Sequence, residues 1–396
     1  WMDEDRAIAI KYSSKWASSS NYWKNSIGMN KAVQDLDIVG QKKKIEQNIR
    51  NWYAKDEACK ARYGSVLSEL EKAYTGRKEK MALLTYYSEV FFRGIELRSV
   101  ANRISRLPFD ATAEDAALCV DNLKAIFKDY EPRVDEETMG TLLQNYRQWS
   151  KGEFLPSFYN LIDSVYGGNT MAYAKDVFSK TCLLDTTCVA KVLADSTLRD
   201  TDMGMQYADA ILETYYDLLG TVQSTMPTID YNERLLNKAI LEMDPSQAHY
   251  SDANMTMRLS YGSIKDYTAN GTHYNYFTNH QSLLDKIAKQ QENADYIMEP
   301  EITKLLKKGK FGKYMDKKTK QMQLCFLSNN DITGGNSGSP MFDANGHVIG
   351  LAFDGNWEAM AGDISFDPAL QRCIGVDIRF VLWIVDRWGG GKNIIK

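Results

Sequence analysis

Within DITGGNSGSPMFDANGHVIGLAFDGNWE, residues 331–358, one side chain is of a type and in a setting that could do covalent chemistry. Ser337 lies between Asn336 and Gly338, two residues after Gly335. A serine hydroxyl is a poor nucleophile, so attack on a carbonyl needs a base for its proton and donors for the oxyanion that forms. Glycines serve the second need. Gly334, Gly335 and Gly338 carry no Cβ, so the loop can turn its backbone N–H groups inward. Those of Gly335 and Ser337 can then point at one oxygen. Asn336 between them is expected to keep the peptide exposed without crowding the pocket. Glycine-serine loops are common and by themselves usually only turn a chain. Here a strand enters, the loop presents Ser337, and an Asn345-Gly346 turn returns a second strand from His347 to Phe353.

The base is less evident. Of the four histidines, His249 lies at a domain boundary, His273 and His280 lie in the polar segment THYNYFTNH, and His347 follows the serine. None precedes Ser337 in a context suited to a general base. The histidines also lack helical i, i+4 ligand spacing, and the six cysteines form neither a CxxC pair nor a zinc-finger spacing. No metal or other cofactor is expected. Cys182 and Cys188 are close enough for a small disulfide loop, or could pack as buried thiols like Cys59, Cys119, Cys325 and Cys373.

The elements that must position Ser337 divide in two, as 396 residues already suggest. Residues 1–243 carry a helical apolar period. In LLTYYSEVFFRGIEL, Leu84, Tyr87, Phe91 and Ile95 share one face while Ser88 and Arg93 turn away. RLPFDATAED and YEPRVDEET each place a proline and then Thr112 or Asp135 before new apolar periodicity, so helices stop and restart there. The result is a set of antiparallel helices with an aromatic core. Residues 244–396 change period. Met255, Met257, Leu259 and Tyr261 alternate with polar residues, as do Met322, Leu324 and Phe326, and each set predicts a half-buried strand. Asn-Gly turns at 270–271 and 345–346 predict hairpins. QSLLDKIAKQQENADYI predicts an interrupting helix and VDIRFVLWIVDRW a closing one. The fold class expected is α+β: a helical domain, then an antiparallel β-barrel or half of one.

A net charge of −4 gives no global pull toward nucleic acid or anionic membrane, and no apolar run is long enough to span a bilayer. KKGKFGKYMDKKTK, residues 307–320, interleaves lysines with Phe311 and Tyr314, a pattern that can bind single strands. Gly309 and Gly312 favour a solvated hairpin there instead. GQKKKIEQ, from residue 40, reads as an exposed helix face. The opening WMDEDRAIAIKYSSKW has neither an initiator methionine nor the pattern of a secretory signal, so the chain reads as a piece of a longer protein.

The strand, the GGNSGSP loop and the returning hairpin resemble the nucleophile region of chymotrypsin-like serine peptidases. With VDIRFVLWIVDRWGG downstream and KYSSKWASSSNYWKN upstream, nearly the whole chain resembles the bacterial dipeptidyl aminopeptidases of the dipeptidyl-peptidase 7 and 11 type. The resemblance implies the C-terminal half of a chymotrypsin-like double barrel, with a helical domain capping the cleft. It implies a periplasmic or cell-surface enzyme, commonly a homodimer, that takes dipeptides from the free N-terminus of oligopeptides. Carried over residue by residue, Ser337 is the nucleophile and the N–H groups of Gly335 and Ser337 form the oxyanion hole. Phe353 and Asp354 hold the substrate's α-amino group, Asn21 in SNYWKN is a helical-domain contact to the same amine, and Gly355 stands at the S1 specificity position. Where family members with arginine at that position cut after Asp or Glu, glycine implies a hydrophobic P1 residue. The chain departs from the family in one respect: the triad His and Asp belong to an N-terminal barrel portion not found in these residues. That portion of the same precursor is the expected partner, and the chain alone is expected to be catalytically silent. Two other functions compete, a trypsin-like endopeptidase and a non-catalytic peptide-binding or scaffold protein of the same fold.

Overall fold

The structure, a computed structural model, describes residues 1–107, 111–246, 249, 257–290 and 297–395. It divides into one unit of residues 1–19 and 46–248 and another of 20–45 and 249–396. The later division lies at 248/249, and residues 20–45 group with the sheet rather than with the other helices. The long helix Arg6–Asp35 therefore contributes to both units.

The first unit is helical. Leu84, Tyr87, Phe91 and Ile95 are buried, and Arg93 faces solvent. They do not lie on one continuous α-helix. The helix Val66–Ser88 passes into a π-helical segment, Glu89–Gly94, and consecutive Val90 and Phe91 are both buried there. The aromatic residues pack as core: the hydroxyl of Tyr87 donates to Ile211 O at 2.8 Å and that of Tyr159 to Leu143 O at 2.7 Å. Thr112 caps the helix Ala113–Phe127 in a reciprocal box with Asp115.

Asp135 does not start its own helix. That helix begins at Pro132, and the Asp135 carboxylate instead accepts the N–H groups of Glu96 and Leu97, at 2.8 and 2.7 Å, where the helix Leu97–Ser105 begins. Tyr130 Oη donates to it as well, at 2.8 Å, and burial pushes its carboxyl up to about 6. Cys182 and Cys188 are joined in a disulfide, while Cys59, Cys119, Cys325 and Cys373 are free thiols.

Among the described residues the second unit has seven strands: β1 (Tyr267–Ala269), β2 (Thr272–Tyr274), β3 (Phe277–Asn279), β4 (Gln323–Ser328), β5 (Pro340–Phe342), β6 (Val348–Gly355) and β7 (Cys373–Asp377). β1 and β2 form a hairpin about Asn270-Gly271, both with positive φ. The other five make an antiparallel sheet in the order β3-β4-β7-β6-β5. The expected barrel half is thus an open sheet, and no closed barrel forms among the described residues. Met322, Leu324 and Phe326 are buried as their alternation predicts. Gly350 and Gly375 leave room for the Phe326 ring, since a Cβ on Gly350 would stand 2.6 Å from its Cε1.

The helix His280–Lys289 covers the first part of the expected interrupting helix, of which residues 291–296 lie outside the described residues, and Ile378–Arg387 matches the closing one. The second begins at Asp377, which Arg379 grips through two nitrogens while also reaching Asp316 at 2.8 Å. With the Thr319 N–H and this guanidinium, the Asp316 carboxyl is held well below the usual carboxylate range.

Two expectations fail here. Residues 257–263 form no strand, and Met257, Leu259 and Tyr261 are 101, 90 and 88% exposed. Pairing to β4 begins only with Ser263 O, which accepts from Asn329 N, and with the bridge of Ile264 to Ser328. Alternation encodes a face fit for burial but supplies nothing to cover it. Met255 and Thr256 lie outside the described residues. The lysine-rich run is not a hairpin: it ends the helix Pro300–Lys308 at left-handed Gly309, and Phe311 and Tyr314 are buried against Trp383 and Met322. Those rings are unavailable for stacking on bases. No helix among the described residues is long and apolar enough to cross a membrane.

Candidate active site

Ser337 stands exposed on the loop between β4 and β5. Local hydrogen bonds fix the loop. Asn336 N–H donates to Thr333 O at 3.2 Å, Thr333 N–H donates to the Asn336 Oδ1 at 3.0 Å, and Ser339 N–H donates to Asn336 O at 2.9 Å. Asn336 is thus the clip that closes the loop, a role beyond the mere absence of crowding expected of it. Gly335 and Gly338 adopt φ of +104° and +86°, which only glycine takes without strain.

The second tie runs to β6. Gly338 N–H donates to Ala352 O at 2.7 Å, and Ala352 N–H donates to Ser339 O at 2.9 Å. Around Ser337, the N–H groups of Asn336 and Gly338 are thereby used. Those of Gly335 and Ser337 have no acceptor among the described residues. Two alternate N–H groups left open beside an exposed hydroxyl can stabilise a negative oxygen formed there.

The same tie brings Ala352, and with it Phe353, Asp354 and Gly355, alongside the serine loop. β6 pairs Ala352 with Gly375 and Asp354 with Ile374, so Phe353 is the extra residue of a bulge. Phe353 and Asp354 are exposed, and Asp354 Oδ1 accepts the Gly355 N–H at 2.8 Å. Its other carboxylate oxygen has no partner among the described residues. Behind them sits Asn356, buried, which donates to Glu358 Oε2 and Leu370 O and accepts from Arg372 N–H at 2.8 Å. Arg372 in turn donates to the carbonyls of Pro368, Ala369, Gln371 and Asp266. Neither residue was singled out from the sequence. Their partners lie in other segments, and no local pattern signals them.

Asn21 is exposed on the helix Arg6–Asp35. At i+4 and i+7 from it, Asn25 and Gly28 share its face. Asn25 Nδ2 lies 3.6 Å from Met360 Sδ, and Gly28 lies against the Trp357 ring in the 3-10 turn Trp357–Ala361 that follows Gly355.

No histidine joins Ser337 among the described residues. His273 Nε2 is 3.5 Å from Asp266 Oδ2, and His347 Nδ1 is 3.1 Å from Asp343 Oδ2 on the β5–β6 turn. His280 packs its ring on Phe311, and burial holds its imidazole below the ordinary value. Among the described residues no three His, Cys, Asp or Glu side chains gather to hold a metal ion.

Comparison with known proteins gives a consistent result. The family profile described as Peptidase S46 matches residues 1–396. Dipeptidyl-peptidase 7 of Porphyromonas gingivalis is 39% identical over 410 residues, covering 100% of this chain and 56% of that protein. The Asp/Glu-specific dipeptidyl-peptidase of the same organism is 29% identical over 411 residues, covering 99% of this chain and 55% of that protein. The crystal structure of Porphyromonas endodontalis DPP11 in complex with the dipeptide Arg-Glu superposes with a TM-score of 0.86 and 27% identity, over 100% of this chain and 57% of that one. The chain spans about half the length of the relatives it matches.

Proposed function

The chain belongs to the peptidase S46 family, and from that premise we propose that it carries the nucleophile and substrate-binding residues of a serine exopeptidase that releases dipeptides from the free N-terminus of oligopeptides. The observation that carries this reading is the pair of open N–H groups, Gly335 and Ser337, beside the exposed Ser337 hydroxyl. The antiparallel sheet around that loop supports the reading of residues 244–396 as one half of a chymotrypsin-like double barrel.

Ser337 Oγ attacks the carbonyl carbon of the substrate's second residue, and its proton passes to a general base. The oxyanion forms against the Gly335 and Ser337 N–H groups. Collapse breaks the C–N bond, the base returns its proton to the leaving amine, and the dipeptide remains as an ester on Ser337. Water, deprotonated by the same base, then releases it. The base is a histidine oriented by an aspartate, supplied by an N-terminal barrel portion outside these 396 residues. That His273 and His347 face Asp266 and Asp343, and that no histidine among the described residues bonds to Ser337, supports that assignment.

An enzyme that counts two residues from an N-terminus must anchor an ammonium. Asp354, exposed beside bulged Phe353 and tied through Ala352 to the serine loop, is suited to this, with Asn21 as a second contact. Gly355 contributes neither charge nor bulk, and the hydrophobic P1 residue follows from it. The lower identity to the Asp/Glu-specific enzyme than to dipeptidyl-peptidase 7 supports a P1 residue other than Asp or Glu. A periplasmic or cell-surface location fits the Cys182–Cys188 disulfide, which needs an oxidising compartment. The family resemblance adds a homodimer.

The test expresses this chain within a polypeptide of its relatives' full length and follows peptide products by mass spectrometry. Dipeptides are expected from free but not N-acetylated peptides, and none from Ser337→Ala. That no histidine joins Ser337 among the described residues favours one rival, a peptide-binding protein without hydrolysis. Peptide binding by the full-length protein with no bond cleaved would establish that rival, and robust turnover by the 396 residues alone would overturn the assignment of the base.

A further inference from the structure

We propose that Gly28 is a positioning residue for the P1 pocket: it lets the helix Arg6–Asp35 lie directly on Trp357 and Met360, and so fixes the turn that bounds the space at Gly355. The proposal rests on the reading of Gly355 as a P1-pocket residue.

The contact is closer than any side chain would permit. A Cβ on Gly28 would stand 2.7 and 2.9 Å from Cζ3 and Cε3 of the Trp357 indole and 2.8 Å from Met360 Cγ. Glycine inside a helix is unfavourable relative to alanine, and at Gly28 the missing Cβ permits this close approach. Gly76, inside the helix Val66–Ser88, has nothing within 4 Å of its would-be Cβ and shows no such contact.

The turn Trp357–Ala361 and the residues after it meet this helix and the start of the next one, Ile38–Tyr53, at further points. Asn25 Nδ2 meets Met360 Sδ at 3.6 Å, Ala361 is fully buried with Ala32 and Ile38, and Ser365 Oγ donates to Gln41 Oε1 at 3.1 Å. The turn also borders the specificity position, since a Cβ on Gly355 would lie 3.0 Å from Ala359 Cβ. Trp357 remains 59% exposed, so its indole is clamped along one edge and open elsewhere. Contacts therefore run from Gly28 to Trp357 and Met360, and within the same turn from Ala359 to Gly355. Selectivity for P1 is shared between residues 20–45 and the segment after β6, rather than residing at position 355 alone.

The test uses the full-length enzyme as Gly28→Ala, Trp357→Leu, the double variant, and Gly76→Ala as a helix-glycine control. One readout is the ratio of kcat/KM between matched dipeptidyl substrates ending in Phe and in Ala. The other is the 19F spectrum of protein labelled with 5-fluorotryptophan, in which the Trp357 resonance is assigned by its loss in Trp357→Leu. Gly28→Ala is expected to move that resonance and to change the Phe/Ala ratio by roughly tenfold, the scale on which small changes of pocket size discriminate substrates. In the Trp357→Leu background the same substitution is expected to change the ratio severalfold less than in the unsubstituted background, because the indole atoms it strikes are gone and only Met360 Cγ remains in its way. An unmoved resonance refutes the contact. A moved resonance with an unchanged ratio refutes its role in selectivity, as does an equal change in Gly76→Ala. Failure of the unsubstituted enzyme to release dipeptides refutes the function itself, while the resonance still reports on the contact without turnover.

Discussion

Replacing Gly335 by alanine tests the proposed oxyanion donors by backbone geometry alone. The added Cβ meets nothing within 4 Å, so no collision follows, but the residue holds φ at +104°, where alanine is strained. That strain is about 1–3 kcal/mol, equivalent to roughly a 5- to 150-fold bias toward a relaxed backbone. The flanks resist relaxation, because Asn336 and Gly338 N–H groups are bonded to Thr333 O and Ala352 O. Rotation therefore concentrates on the peptide that carries the Gly335 N–H and swings this donor off the oxyanion. Complete loss of one such donor costs about 10²- to 10³-fold in kcat. The expected result in the full-length enzyme is a fall in kcat between roughly tenfold and a thousandfold, with KM within about threefold, because the donor acts in the transition state. Gly167→Ala supplies the comparison: it also has positive φ, +58°, and nothing within 4 Å, but it ends a helix in the other unit. It should lower the melting temperature and leave kcat unchanged. If Gly335→Ala melts lower yet keeps kcat within about twofold of the unsubstituted enzyme, the Gly335 N–H is not an oxyanion donor.

Asp354→Ala should cost about 1.5–3 kcal/mol in kcat/KM on peptides with a free amine, as expected for a lost charge-assisted hydrogen bond. Equal cleavage of free and N-acetylated peptides by the unsubstituted enzyme would remove the anchor role. Gly355→Arg should raise kcat/KM for substrates with Asp or Glu at P1 relative to Leu or Phe, and lower the melting temperature, because its Cβ would lie only 3.0 Å from Ala359 Cβ. An unchanged ranking would show that the pocket is set elsewhere. Asp135 gives a pH effect. Its folded carboxyl, raised by burial from 3.8 to about 6, binds a proton more tightly than the unfolded one, so stability falls as pH rises through that window. The fall is on the order of 3 kcal/mol. Denaturant melts between pH 4 and 7 should show it and Asp135→Asn should flatten it. A stability that rises across that range in the native protein, but not in the variant, would refute the sign.

Features legible in the sequence were those whose physics is local. The burial of Leu84 and Tyr87 follows from helical spacing, and that of Met322, Leu324 and Phe326 from the two-residue period of a strand. The Asn270-Gly271 hairpin follows from the torsions its turn demands. The Ser337 loop was legible for the same reason, since glycines flanking a serine between strand and hairpin speak of backbone conformation within a few residues. Tertiary structure decided whatever depends on a partner distant along the chain. Asp135 lies in a helix whose pattern suggested a cap, yet it serves the N-terminus of another helix. The apolar residues 257, 259 and 261 had the alternation of a strand and stand exposed, whereas Phe311 and Tyr314, set among lysines, are buried. Spacing determines which residues share a face. It carries no information about which element, if any, arrives to cover that face, and the bulge at Phe353 and the seating of Gly28 on Trp357 exist only where separate segments meet.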